Sequence, residues 1–125
     1  MRERPDLVFL ETFIGIEILK IAADVAGRYE VPLFCSMTFR ETGRTMMGDY
    51  LKDMLEGLRA FPVHAVGLNC SLGPHAAQPV LSEFRRSTDL PLLFKPSAGK
   101  TRYENCSVSA EFYAGTFVSD VLPAV

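Results

Sequence analysis

The chain has 125 residues, 48% of them hydrophobic and 22% charged, with a formal charge of −2. That composition is one globular domain's worth of sequence with enough apolar surface for a core, and it excludes a largely disordered chain. Mixed charge of low net value gives no electrostatic case for nucleic acid or an anionic membrane as a partner.

No apolar run reaches the roughly 18–20 residues that span a bilayer. The start, Met1-Arg-Glu-Arg-Pro-Asp6, lacks the apolar centre of a secretion signal, so a cytoplasmic protein is expected. Three cysteines, an odd number without a CxxC spacing, argue against a disulfide framework. In a reducing compartment each is a free thiol or a metal ligand.

The first apolar run, Leu7–Leu10, ends in Glu11-Thr12. It does not alternate apolar and polar, as expected of a strand covered on both faces. Ile14, Ile18, Ile21, Ala22 and Val25 then recur at three- and four-residue steps, predicting a helix with this stripe inward and Gly27 as its stop. A second strand is expected from Leu33, after Val31-Pro32, ending in Ser36-Met37-Thr38. A polar, glycine-bearing loop, Arg40–Gly48, leads to a second helical stripe of Tyr50, Met54, Leu55 and Leu58. Met46, Met47 and Met54 read as core filler.

The third strand, Ala65–Leu68, stops abruptly in Asn69-Cys70-Ser71 and a Gly-Pro turn. Val80, Leu81 and Phe84 mark a third helix, with Pro79 expected in its first turn, where a missing N–H costs least. The fourth strand, Leu92–Phe94, runs into Lys95-Pro96-Ser97-Ala98-Gly99. Tyr103–Ser109 reads as a polar loop carrying Cys106, and Ala110–Val121 as a fourth helix.

The order is thus four βα units at spacings of about 26–32 residues, an α/β fold with right-handed crossovers. Two architectures fit, a small doubly wound sheet or half of an eight-stranded barrel; length alone favours the first, since a whole barrel takes about 250 residues.

In either architecture the strand exits gather on one rim, where chemistry collects. A carboxylate, hydroxyls, an amide and a thiol would converge there. Each has a plain structural reading as well. Glu11 could be a negative charge near a helix start. Cys35, between Phe34 and Ser36, is expected to be a small buried hydrophobe, and Cys106 a loop thiol. His64 and His75 lack partners at ligand spacing and read as structural. For Cys70 the residues alone leave packing and function equally open. Ala98-Gly-Lys-Thr101 lacks the upstream glycine of a phosphate loop, and no GxGxxG follows the first strand.

Taken together, the strand ends carry a pattern. Asp6-Leu-Val-Phe-Leu-Glu-Thr12, Phe34-Cys-Ser-Met-Thr-Phe39 with Gly43-Arg-Thr45 and Gly48, Val66-Gly-Leu-Asn-Cys-Ser-Leu-Gly-Pro74, and Lys95-Pro-Ser-Ala-Gly99 stand in this order. They resemble the homocysteine-binding domain of the homocysteine S-methyltransferase family, in particular the homocysteine module of cobalamin-dependent methionine synthases. The resemblance covers nearly the whole chain and implies a partial (β/α)8 TIM barrel, about its fourth to seventh strand–helix units.

It implies zinc as cofactor, homocysteine as substrate and a donor such as methylcobalamin held by other domains. By position, Cys70 corresponds to one of three thiolate zinc ligands and Glu11 to the partner of the substrate's ammonium group. Asn69 and Ser71 would shape the substrate and zinc rim. The family's other two zinc ligands form an adjacent cysteine pair, and no Cys-Cys pair occurs in these 125 residues. The family's substrate-carboxylate motif on its first strand is absent too, and Ser97 stands where the family usually has asparagine. The expectation is a fragment inactive alone, or a non-catalytic half-barrel. Its open strand edges would favour self-association or a complementary chain.

Overall fold

A computed structural model of the chain describes residues 5–98, 101–110 and 114–121. The order is β1 (Val8–Phe13), α1 (Ile16–Ala26), β2 (Leu33–Met37), α2 (Leu51–Leu58), β3 (Val63–Asn69), α3 (Pro74–Ser87), β4 (Leu92–Lys95), β5 (Thr101–Glu104), β6 (Ser107–Ala110) and α4 (Ala114–Val121). The first four strands make one parallel sheet in the order β1-β2-β3-β4. A doubly wound sheet reverses its strand order at a switch point, whereas a barrel does not. The unbroken order therefore decides for four consecutive units of a (β/α)8 barrel, against the length argument.

Alternation along the strands separates two faces. One face carries Leu33, Cys35, Met37, Val66 and Leu68, all buried under Leu19 and Ala23 of α1, Met54 of α2, and Ala77, Val80 and Phe84 of α3. The other carries Phe9 and Phe34, whose rings meet edge-to-face at 6.4 Å, and leads to Glu11, Ser36, Asn69 and Lys95 at the strand ends. Gly67 is required where β3 meets β4. A Cβ there would stand 1.9 Å from the Leu93 carbonyl oxygen.

Several elements differ from their sequence reading. α1 turns Ile16, Leu19, Ala23 and Ala26 inward, while Ile14, Ile18, Ile21 and Val25 are exposed. The helix is apolar on more than one side, so spacing alone could not choose between two stripes. Met54 is core, but Met46 and Met47 are exposed on the loop, where the Met46 sulfur contacts the Arg40 guanidinium. Tyr50 serves as N-cap of α2 rather than as part of its inward stripe, its backbone N–H donating to Asp53 at 2.6 Å.

Pro74, not Pro79, opens α3, and Pro79 sits in the second turn. There it removes the bond to the His75 carbonyl, on an exposed side where water can serve that group. The Tyr103–Ser109 segment is not a loop but most of the antiparallel β5–β6 hairpin. Its two turn residues, Asn105 and Cys106, have φ of 50° and 60°, the left-handed pair that a two-residue hairpin turn demands. α4 consequently begins at Ala114, beyond the strand that ends at Ala110.

Candidate functional site

The rim is built on a β-bulge. Leu10 pairs with Cys35 and Phe13 with Met37, so Glu11 and Thr12 together oppose Ser36 alone. A bulge re-aims side chains and frees a ladder N–H. Thr12 accordingly adopts φ 65°, a strained value for a β-branched residue. Its freed N–H donates to Asn69 Oδ1 at 3.0 Å, and Asn69 Nδ2 donates to Thr12 Oγ1 at 2.6 Å. Ser36 Oγ donates to the same Asn69 oxygen at 2.6 Å. One buried amide thus ties together the ends of β1, β2 and β3. Asn69 and Ser36 are 5% and 0% exposed, so water cannot replace the bond between them.

Past Asn69 the chain turns sharply: Cys70 and Ser71 have φ of 61° and 60°. The Cys70 N–H donates to the Lys95 carbonyl at 3.0 Å, and Ser97 N–H donates to Leu72 O at 2.8 Å, which fastens this turn to the end of β4. The result is an exposed Cys70 thiol, beside an exposed Ser71, at the strand ends. Lys95 also reaches back with its side chain. Its ammonium pairs with the Glu11 carboxylate and lies 4.9 Å from the centre of the Phe9 ring. Lys95 therefore links the thiol-bearing turn to the carboxylate. Thr38 Oγ1, one residue past β2, is buried there without a hydrogen-bond partner.

The remaining candidates fall elsewhere. Glu11 does not serve a helix start: α1 begins at Ile16, whose N–H donates to Asp49 Oδ2 at 3.0 Å. Cys35 is fully buried on the helix-facing side, and desolvation pushes its thiol pKa up to about 12. Cys106 is exposed in the hairpin turn. His64 is structural: its Nδ1 accepts the Leu33 N–H at 3.2 Å where a second bulge sets His64 outside the β2–β3 pairing. His75 is exposed on α3. Gly99, the last residue of the fourth strand's exit motif, lies outside the described residues. A cavity of about 410 Å³ lined by Leu55, Arg59, Phe61, Val63 and Thr88 contains no thiol and is lined from the start of β3, the end away from Cys70.

Comparison with known proteins fits this geometry. The sequence pattern of the homocysteine S-methyltransferase family matches residues 1–119. The chain belongs to this family. It is 31% identical over 74 residues to the methionine synthase of Mycobacterium tuberculosis, covering 59% of this chain and 6% of that protein. Against the methionine synthase of Mycobacterium leprae it is 29% identical over 101 residues, covering 75% of this chain and 8% of that one. The chain thus spans under a tenth of the length of these curated relatives. Its fold superposes on the apo crystal structure of the homocysteine methyltransferase MmuM from Escherichia coli with a TM-score of 0.71. That match has 22% identity and covers 95% of this chain and 41% of MmuM.

For a homocysteine S-methyltransferase the donor set matters most. Among the described residues no group of three or more His, Cys, Asp or Glu side chains could hold a metal ion. Cys70 stands alone as a thiol on the rim, since Cys35 is buried behind the sheet and Cys106 lies in the hairpin turn. These residues do not by themselves supply the three protein ligands, with a fourth position left open, that a catalytic zinc site needs. Sequence reasoning named Glu11, Asn69, Cys70 and Ser71 as candidates, all of which lie at the strand ends, but passed over Ser36 as Asn69's partner and left Lys95 without a role. Both stood in the quoted strand exits, where a polar side chain facing the barrel interior is the signal. Among the described residues no helix is long and apolar enough to cross a membrane.

Proposed function

We propose that this chain is the homocysteine-holding portion of a zinc-dependent methyltransferase that converts homocysteine to methionine and needs further residues to act. The observation that carries the reading is the rim on which Lys95 joins Glu11 to the Cys70 turn, in a chain of this family. Glu11 takes the substrate's ammonium group, and Ser71 borders the bound thiol. Asn69 acts from beneath: three of its hydrogen bonds go to Thr12 and Ser36, holding the bulge that presents Glu11. Cys70 offers one ligand of a three-thiolate zinc site, and its thiol survives only in a reducing compartment such as the cytoplasm.

The chemical demand is an ionised acceptor sulfur, because a thiol with a pKa of about 8.5 is mostly protonated at neutral pH. One thiolate does not meet that demand, so the chain alone is inactive in this reading. Methylcobalamin, held by another domain or chain, is the donor.

Metal analysis tests this directly. Dialysed protein should hold well under one equivalent of zinc and should not turn homocysteine over with methylcobalamin. Near-stoichiometric zinc together with turnover would overturn the claim of dependence.

A partner chain or a second copy is supported by two features. The exposed α1 side chains Ile18, Ile21 and Val25 line an apolar hollow of about 480 Å³ with Val8, Leu10 and Tyr29. Among the described residues β1 pairs with β2 alone, which leaves its other edge open to a further strand. Light scattering should report more than a monomer at high concentration; a clean monomer would remove this part of the reading.

A further inference from the structure

The four-stranded sheet is finished inside and unfinished at both edges. β2 and β3 are buried along most of their length, at Leu33, Cys35 and Met37 on one and from Ala65 to Asn69 on the other. β1 and β4 carry the same kind of unbroken apolar run, Val8-Phe9-Leu10 and Leu92-Leu93-Phe94, yet these six residues are only half-buried. Runs without alternation suit strands that are covered on both faces within a sheet. Among the described residues each outer strand has one neighbour alone. The charges that guard a free edge come only after the apolar runs, at Glu11 and Lys95.

The two edges match each other. Running toward the rim, each is three apolar residues followed by a charge, negative on β1 and positive on β4. Side by side, parallel and level at the rim, the apolar runs adjoin and the two charges meet with opposite sign. Within one chain Lys95 already pairs with Glu11, but from three strand spacings away, about 14 Å of sheet. On an adjacent strand the carboxylate would stand one spacing of about 5 Å away. Strand number lets the match close on itself. Eight strands complete a (β/α)8 barrel at about 45° of turn each, so these four turn through about half a circle. A head-to-tail contact with that rotation closes after two copies.

We propose that two copies of this chain close into one eight-stranded barrel, β4 of each copy adding in parallel to β1 of the other. The inference rests on the reading given above that protein covers the open edge of β1 and the apolar hollow beside α1. In the closed barrel α1, with Ile18, Ile21 and Val25 exposed, neighbours α4 of the other copy, which exposes Gly115 and Val118. Each Glu11 keeps a lysine partner, now from the neighbouring copy. The two Cys70 turns stand four strands apart across one mouth, so closure does not gather the ligands that zinc requires.

Sedimentation of the full chain over a range of concentrations tests this with two charge reversals. The wild type should interconvert between monomer and dimer, with no larger species. Glu11→Lys sets like charges at both joints of its own dimer, as does Lys95→Glu, and each should weaken dimerisation about tenfold. Mixed in equal amounts, the two variants should recover wild-type dimerisation. A dimer of one copy of each restores an opposite-charge pair at both joints, while the pair within each chain stays broken. Ile21→Glu, at a side chain 68% exposed in the single chain, should leave a monomer with the wild-type circular dichroism spectrum. Dimers that show no recovery on mixing would overturn the β4–β1 joint and leave self-association standing. Species that grow beyond the dimer with concentration would overturn closure and likewise spare self-association. A wild-type monomer at every concentration would overturn both, and the open faces would then belong to a different partner.

Discussion

The two ends of the sheet solve the same problem with different materials. Each carries a β-bulge, and at each a polar side chain from β3 accepts the N–H at the irregularity. At the start of the strands the patch is His64, exposed, which takes the Leu33 N–H in a single bond. At the other end it is Asn69, buried, which serves Thr12 twice and Ser36 once. Among the described residues, the second end alone holds side-chain-bearing residues at positive φ in the sheet's own turns, namely Thr12, Cys70 and Ser71. Backbone strain is tolerated where the surroundings over-determine it. The contrast sets apart the end of this half-barrel on which the proposed site lies, without reference to any motif.

Substitutions can break the contrast, beginning at the buried end. Asn69→Ala leaves the Thr12 N–H and the Ser36 hydroxyl without their acceptor, and should cost about 3 kcal/mol in urea unfolding. A loss below about 1 kcal/mol would show that the amide does not tie the three strand ends together. Next in size is a pH effect. The Cys35 thiol, raised to about 12 in the folded chain against an ordinary value of 9.0, stays protonated while the unfolded chain ionises. Stability is therefore fully present below pH 9 and falls as pH rises toward 12. Across pH 9–11 the wild type should lose about 2 kcal/mol more than Cys35→Ala does. Parallel pH curves for the two proteins would contradict this.

Ser36→Ala removes one bond of the network while Asn69 keeps the Thr12 N–H, so about 1 kcal/mol is expected. His64→Ala at the exposed end should cost about 0.5 kcal/mol, because water can take over the Leu33 N–H. If His64→Ala proves as costly as Asn69→Ala, the distinction between the two ends collapses. Smallest of all is Cys70→Ala, which should leave stability within about 0.5 kcal/mol. A thiol reagent should reach Cys70 and Cys106 in the folded chain and Cys35 only on unfolding.

Much of this was legible in the sequence, and the exceptions have physical causes. The strands expected near residues 7, 33, 65 and 92 begin at Val8, Leu33, Val63 and Leu92, because central parallel strands write themselves as unbroken apolar runs. The convergence of Glu11, Asn69 and Cys70 followed from strand order. The inward face of α1 was not legible, since a helix with Ile18 and Ile21 outside as well as Leu19 inside has no single stripe. The β5–β6 hairpin was hidden because its turn places Cys106 at positive φ, where glycine is the usual cue. The bulge at Glu11-Thr12 depends on register with β2, a relation between segments that no local pattern contains.

Asp49 carries a consequence for how the chain comes together. The first turn of α1 has no side-chain cap of its own at Gly15; its leading N–H is served by a carboxylate 33 residues later, which Thr45 Oγ1 steadies at 3.1 Å. That helix start cannot be completed while the chain is only as long as the helix itself. It must wait for β2 to add alongside β1 and for the following loop to fold back. The beginning of α1 and the segment around residues 45–49 should therefore acquire, and lose, hydrogen-exchange protection as one unit.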